Sequence, residues 1–525
     1  MIASSIIKAG LLHDISPGGQ FPQDESTYMA RNKIQAIDVE VPFRISDLIF
    51  STTDKKGFIR STNDVFLTMA RYSLKDVLGK PHNMIRHPDM PRCVFFLYWE
   101  YIKRGEAIGA YVTNMASDGA YYRVYTLATP LQDGYLAIRF KTTSKYQKIV
   151  TDLYKSLCAF ENEELARGVS NTECINASLE MLKAKLRELG FADYNAFMIA
   201  TLNEEMRRRD EIMMRESSAN AWEDTSTNQL PPGASPTDIM ARAVAHLSRA
   251  NSVAGALFDR VGSLLTLQDK LNENAQAITG VSRLFEMSSI NVSLEASRIG
   301  TQARCLSVIA NHLGESSQKV CEIAESMREQ IDTTSAALGA AVFCLAAMRL
   351  QVETMLDFCR KNLASTVSTD ESLEALLAEH PRQRVRATLV DLLDAVAVQQ
   401  STLMPTMENL LKNLRKLDGD FTSVKRSMLT LRFAQLGGKI ESSRISNDSA
   451  IASLVDSIGK DIIGTVGQIS QLESDLTTVS TDLRMSFRRM AELQGLINSI
   501  RQIAEEPEAG AAQEPTPTRR LSKAA

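Results

Sequence analysis

Cysteine is sparse in this 525-residue sequence: Cys93, Cys158, Cys174, Cys305, Cys321, Cys344 and Cys359 are scattered, odd in number and never in a C-x-x-C spacing. That argues against a disulfide framework and the usual zinc patterns, and it fits a reducing compartment. An excess of one charge is also missing. The 59 basic and 63 acidic residues leave a formal charge of −4, so no large basic surface and no nucleic-acid partner is expected. No apolar run approaches the roughly 18 residues that span a bilayer. The opening MIASSIIKAGLLHDIS lacks the charged start and long apolar centre of a signal peptide, so a cytoplasmic chain without membrane insertion is the expectation. Phosphate loop, nucleophile elbow, H-E-x-x-H, the phosphoacceptor and ATP-lid boxes of histidine kinases, and GGDEF or EAL motifs are absent too. No enzymatic activity is expected, and His246 in VAHLSRA reads as an ordinary helix residue.

The length is too great for one core, and what is present divides near residue 145. After an N-terminal extension (1–44), DLIFSTTDKKGFIRSTN (47–63) is two short alternating runs around a DKKG turn, a hairpin signal. YSLKDVLGK predicts a short helix with Ser73 as N-cap and Gly79 just past its end; CVFFLYWEYIKRG predicts a longer one stopped by Gly105. Residues 110–143 alternate over three strands, with turns at 117–119 and 132–134. Residues 45–145 therefore read as one α+β domain, a sheet with a helical face. A helical connector (146–215), a Ser/Asn/Pro/Gly linker (216–236), helical stretches at 237–366 and 381–505, and a disordered tail (506–525) follow.

In the helical part, Val320, Ile323, Met327 and Ile331, and again Leu345, Met348, Val352, Met355 and Cys359, step by threes and fours. That spacing keeps one stripe on one face and predicts coiled-coil packing. Around Gly300, Glu295, Ser297, Arg298 and Ile299 recur as Glu441, Ser443, Arg444 and Ile445, an offset of 146 (441 − 295). Ser446, Asn447 and Asp448 are turn residues, so both sites are expected to reverse the chain. Two all-α antiparallel hairpins, with arms of ~60 residues and roughly 90 Å at ~1.5 Å per residue, make a four-helix-bundle-like array within one chain.

The densest polar stretch is PHNMIRHPDMPR (81–92). Pro88 and Pro91 restrict the backbone around Asp89, expected to cap a helix that begins at Met90 with Pro91 in its first turn. Arg86 and His87 are then held at a helix entrance, above a face carrying Phe95, Trp99 and Ile102. Trp99 offers a flat surface to a ring, and Arg86 a fork of donors for a phosphate or a reduced flavin. The same residues allow blander readings: Trp99 and Phe95 as core, Asp89 as a cap alone, Arg86 as a surface ion-pair partner. A metal on His82, His87 and Asp89, a haem on a histidine, and an empty pocket serving protein contact also stay open.

STTDKKGFIRSTNDVF, YSLKDVLGKPHNMIRHPDMPR and YWEYIKRGE resemble, in order and nearly without gaps, the flavin-binding PAS domains of aerotaxis receptors. The resemblance implies a PAS fold that holds FAD, with Asn63, Arg86, His87, Asp89 and Trp99 at pocket positions. This chain departs at Ile108, where a tryptophan is expected, and at TNMASDG, which replaces a basic run. Further on, NVSLEASRIGTQARCLSVIA resembles the signalling tip of methyl-accepting chemotaxis proteins: Asn291, Glu295, Arg298, Gly300, Gln302, Arg304, Val308 and Ala310 match, whereas Thr301, Ala303 and Leu306 depart. That resemblance implies a CheW-like coupling protein and a CheA-like histidine kinase as partners, with self-association, and puts Met287, Ile290, Asn291, Glu295, Arg298 and Val308 at tip contacts. The Glu329 and Gln330 pair is near the family's methylation pattern but lies too close to the bend. Together the resemblances imply a chemoreceptor-like transducer for redox state or oxygen. The competing class is a non-chemotactic PAS-regulated helical scaffold with an empty or haem-binding pocket.

Overall fold

The computed structural model describes residues 34–219, 239–300, 304–367, 381–445 and 449–506. Strands β1 (Ile49–Asp54) and β2 (Ile59–Thr62) pair across the DKKG turn, where Asp54 Oδ1 accepts from the Lys56 and Phe58 amides at 2.8 and 2.9 Å. Strands β3 (Ile108–Met115), β4 (Tyr121–Leu131) and β5 (Gly134–Lys141) form an antiparallel meander, and β1 closes on β5 to give the order β2-β1-β5-β4-β3. Gly134 is obligatory at that junction, because a Cβ there would collide with the Thr53 carbonyl.

One face of the sheet carries helices α1 (Asp64–Ala70), α2 (Leu74–Val77) and α3 (Arg92–Lys103), with a 3-10 turn at His82–Ile85. Ser73 and Asp76 form the capping box of α2, and Gly79 and Gly105 follow α2 and α3 with positive φ. The opposite face is covered as well, which the sequence reading did not anticipate. Connector helices α4 (Tyr146–Ala166), α5 (Asn171–Glu188) and α6 (Tyr194–Ala219) lie there, with Phe197 and Met198 of α6 packed in one core with Tyr111 and Tyr125.

Beyond the linker come α7 (Ile239–Gly262), α8 (Leu265–Ile299), α9 (Arg304–Val367), α10 (Pro381–Ile445) and α11 (Ser449–Glu505). Helices α7 and α8 form one arm with a short break between them. Helix α9 packs on α7, α8 and α10, and α11 packs on α10, α7 and α8, so one chain supplies all four arms of the bundle. The stripe from Leu345 to Cys359 is buried throughout. Ser282 and Ser317 exchange hydroxyl-to-carbonyl bonds across α8 and α9, and Lys439 pairs with Asp456 across α10 and α11. Both bends lie at one end of the bundle, where Ala296 and Leu306 meet Val455. Gly300 takes φ 82° at the first bend, a conformation that favours glycine. Thr301, Gln302, Ala303, Ser446, Asn447, Asp448, most of the linker, most of the N-terminal extension and almost all of the tail fall outside the described residues.

One expectation needs correcting. Helix Arg304–Leu363 contains an 18-residue window apolar enough to cross a membrane, and 72% of that window is buried inside the protein. Its apolarity follows from its place: α9 touches three other arms, α6 and the sheet, and has little free surface there.

The front domain is clamped to the bundle through α6 and α9. Arg209 donates to both Glu353 oxygens at 2.9 and 2.7 Å and to the Ile45 carbonyl at 3.1 Å; Arg349 donates to Asp210 in return. Phe50 packs edge-on to Phe358 at 5.5 Å, and Gln351 Nε2 donates to Thr129 Oγ1. Glu353→Ala would strand a guanidinium that is 1% exposed, at an expected cost of about 3–5 kcal/mol, read as a lower midpoint of chemical denaturation. The double variant Arg209→Met/Glu353→Leu should lose much less.

Candidate functional site

Between the inner face of the sheet and α3 lies a narrow cleft with a cavity volume of about 80 Å³. Helix α3 contributes Phe95, Tyr98, Trp99 and Ile102; the 3-10 turn and the residue after it contribute His82, Asn83, Ile85 and Arg86. Inward-facing strand positions add Ser51, Thr53, Asn114, Thr126, Tyr135 and Arg139, and Lys56 and Gly57 stand at the β1–β2 turn. None of the described lining residues is an Asp or Glu. Trp99 packs edge-on to Tyr135 at 5.6 Å, and the Arg86 guanidinium lies 4.1 Å above Phe95 while donating to the Met90 carbonyl. Asn114 Nδ2 and Thr126 Oγ1 are buried there without a hydrogen-bond partner.

Of the five expected pocket residues, Arg86 and Trp99 line this cleft and three do not. Asn63 is the N-cap of α1: its Oδ1 accepts from the Phe66 and Phe50 amides and its Nδ2 donates to the Leu48 carbonyl, so it ties α1 to β1. His87 and Asp89 line a second cavity, between the sheet's outer face and α4. There His87 Nδ1 accepts from the Asp89 amide and its ring meets Tyr121. The Asp89 carboxylate is 73% exposed and caps nothing. Met90 precedes a proline, which pushes it out of the α region, and the helix begins only at Arg92. The cap comes instead from Glu161 of α4, whose oxygens accept from the Arg92 amide at 2.7 Å and the Cys93 amide at 3.0 Å. His82 therefore sits apart from His87 and Asp89, and these three form no ligand set.

Sequence reasoning missed Arg139 and Thr126. The available signal was polar residues at inward-facing positions of otherwise apolar strands: Ser51, Thr53, Asn114, Thr126 and Arg139. Arg139 Nη2 lies 2.7 Å from His82 Nε2, and Nη1 donates to Ser51 Oγ. Burial first, and the Arg139 charge second, hold the His82 imidazole well below its ordinary pKa of 6.5; burial pushes the Tyr98 phenol up to about 12.

This arrangement, a five-stranded antiparallel sheet with short helices over a cleft on one face, defines a domain of the PAS class. The type follows from a relative: 123 residues are 37% identical to the aerotaxis receptor of Escherichia coli (strain K12), which makes the front domain an aerotaxis-receptor-type PAS domain. The match takes 22% of this chain and 24% of that receptor, so the chain spans about a quarter of its relative's length. No family model matches the chain. Among solved structures, the Cys71Ser mutant of Vivid is 20% identical with TM-score 0.17, covering 20% of this chain and 86% of Vivid. The photo-excited blue-light photoreceptor Vivid is 21% identical with TM-score 0.17, covering 20% and 85%.

At the far end, Met287, Ile290, Asn291, Arg298 and Val308 are exposed and Glu295 half-buried, with Arg298 paired to Glu295 at 2.9 Å. The second repeat reproduces that pair as Arg444 and Glu441 at 3.2 Å. It also repeats the apolar stripe: Phe433, Leu436 and Ile440 stand 146 residues (433 − 287) beyond Met287, Ile290 and Leu294, and Phe433 is 76% exposed.

Because His82 is neutral in the fold while the unfolded chain protonates it below about pH 6.5, its contribution to stability is complete above that pH and lost as pH falls. Denaturation midpoints should drop between pH 7.5 and 5.5, and His82→Gln, which keeps an acceptor for Arg139, should flatten that drop.

Proposed function

We propose that the chain is a cytoplasmic redox or oxygen sensor that holds FAD in the front cleft and modulates a CheA/CheW-type kinase complex through its helical bundle. The observation that carries this reading is the lining of the cleft, aromatic and cationic with no described carboxylate, in a domain related to the aerotaxis receptor. The residues fit the group. Trp99 and Tyr98 offer faces to a ring, Lys56 and Arg86 suit phosphates, and Asn114 Nδ2 and Thr126 Oγ1 await partners. Haem fits less well, because the imidazole in the cleft already faces Arg139 through Nε2.

When bound, FAD supplies a ring whose charge and hydrogen bonding change with its oxidation state. The route onward lies in this chain's own residues. Helix α3 forms the cleft wall, and Glu161 of α4 holds its first amides. Glu205 of α6 in turn accepts from the Thr143 and Ser144 amides, just before α4, and from the Tyr111 hydroxyl. One turn further along α6, Arg209 and Asp210 grip α9. A shift of the cleft wall is thereby passed to the bundle, and the exposed stripes near the bends are where the kinase complex and further copies of the chain would dock.

Protein purified after expression should show flavin absorbance in the visible blue, and Trp99→Ala should weaken flavin retention; a colourless protein that takes up no FAD would sink the first step. For the last step, Met287→Glu and Phe433→Glu should each reduce co-purification of the coupling protein and kinase without lowering flavin content. The scaffold reading draws on Thr301 and Ala303, where the tip departs from the receptor pattern. It would be favoured by a deletion strain that swims normally in oxygen gradients but assembles abnormally.

A further inference from the structure

Three arginines among the described residues are buried: Arg86, Arg139 and Arg209. Arg86 lies over the Phe95 ring and donates to the Met90 carbonyl, whereas Arg209 is bound through two hydrogen bonds to the Glu353 carboxylate. Arg139, 2% exposed on the central strand β5, has no such partner among the described residues. Its hydrogen bonds go to Ser51 Oγ at 3.1 Å, the Ala137 carbonyl at 3.3 Å and His82 Nε2 at 2.7 Å. His82 is neutral and Tyr98 stays a phenol, so nothing described beside the guanidinium carries negative charge. Burying a cation without a counter-charge is strongly unfavourable. Arg139 nevertheless stands in the middle of the sheet, lining the cleft.

We propose that the missing counter-charge is the ligand's: Arg139 is a positioning residue that pairs with the negative charge FAD acquires on reduction, and so sets the potential at which the sensor responds. The inference rests on the flavin reading above. Two-electron reduction with uptake of one proton turns the neutral ring into a singly anionic one. A fixed guanidinium favours that form over the oxidised one by a charge-assisted hydrogen bond, worth ~10-fold or more in relative affinity. Arg86, already turned onto Phe95 and the Met90 carbonyl, is left to the phosphates.

The test is a spectroelectrochemical titration of the full chain loaded with FAD, with dithionite as reductant. Arg139→Gln should still bind oxidised FAD within ~3-fold, while its preference for reduced over oxidised flavin falls at least ~10-fold and its midpoint potential moves to more negative values. Arg139→Lys, which keeps the charge, should recover most of that loss. A second readout needs no flavin: in the apo chain Arg139→Met should leave the melting temperature unchanged or raised, whereas Arg209→Met should lower it. An unchanged potential in flavin-loaded Arg139→Gln, or a large loss of apo stability in Arg139→Met, overturns the role of Arg139 alone. A wild-type chain that takes up no FAD overturns the flavin reading, and this inference with it.

Discussion

One turn of helix, from Glu205 to Asp210, holds the two halves of this protein in register. Glu205 is fully buried and collects the Thr143 and Ser144 amides and the Tyr111 hydroxyl. Four residues later, on the same side of α6, Arg209 reaches Glu353, and Asp210 beside it takes Arg349. A carboxylate removed from water is tolerable only when its oxygens are saturated with donors. The turn therefore has one arrangement that satisfies the sheet and the bundle together, and a displaced partner leaves a buried charge unmatched. Rigid coupling between the domains follows from that constraint.

The sheet connects that turn to the cleft. Its inner-facing residues line the cleft, while its outer-facing residues, among them Phe50, Tyr125 and Phe140, belong to the core shared with the connector and bundle. Alternation along a strand makes successive residues serve the two sides. Arg139 faces the cleft while its neighbours Ile138 and Phe140 face the helices, so whatever strains one face has short range to the other.

What was legible in the sequence was local. Turn chemistry placed the β1–β2 hairpin, Ser73 announced α2, and the spacing from Leu345 to Cys359 marked the buried face of α9, because each depends on residues a few positions apart. What was not legible was long-range. The cap of α3 lies 69 residues downstream in Glu161, and no local pattern distinguishes that glutamate from a solvated one, so Asp89 looked the better candidate. Asn63 and His87 were drawn to the cleft by resemblance, although backbone geometry turns one to β1 and the other to the outer face. Arg139 in GYLAIRFKTT looks like the polar member of an alternating strand; only the sheet's order, which makes β5 central, buries it.

The central claim is that the state of the cleft reaches the bundle through α6. Hydrogen exchange of the flavin-loaded chain, compared in its oxidised and reduced forms, tests this most directly. The account predicts that reduction changes amide protection in α3, in the first turn of α4 and in α9 around Arg349 to Phe358, and that Glu353→Gln abolishes the α9 change while leaving that of α3. Reduction that alters α3 but leaves α9 unchanged in the wild-type chain would contradict it.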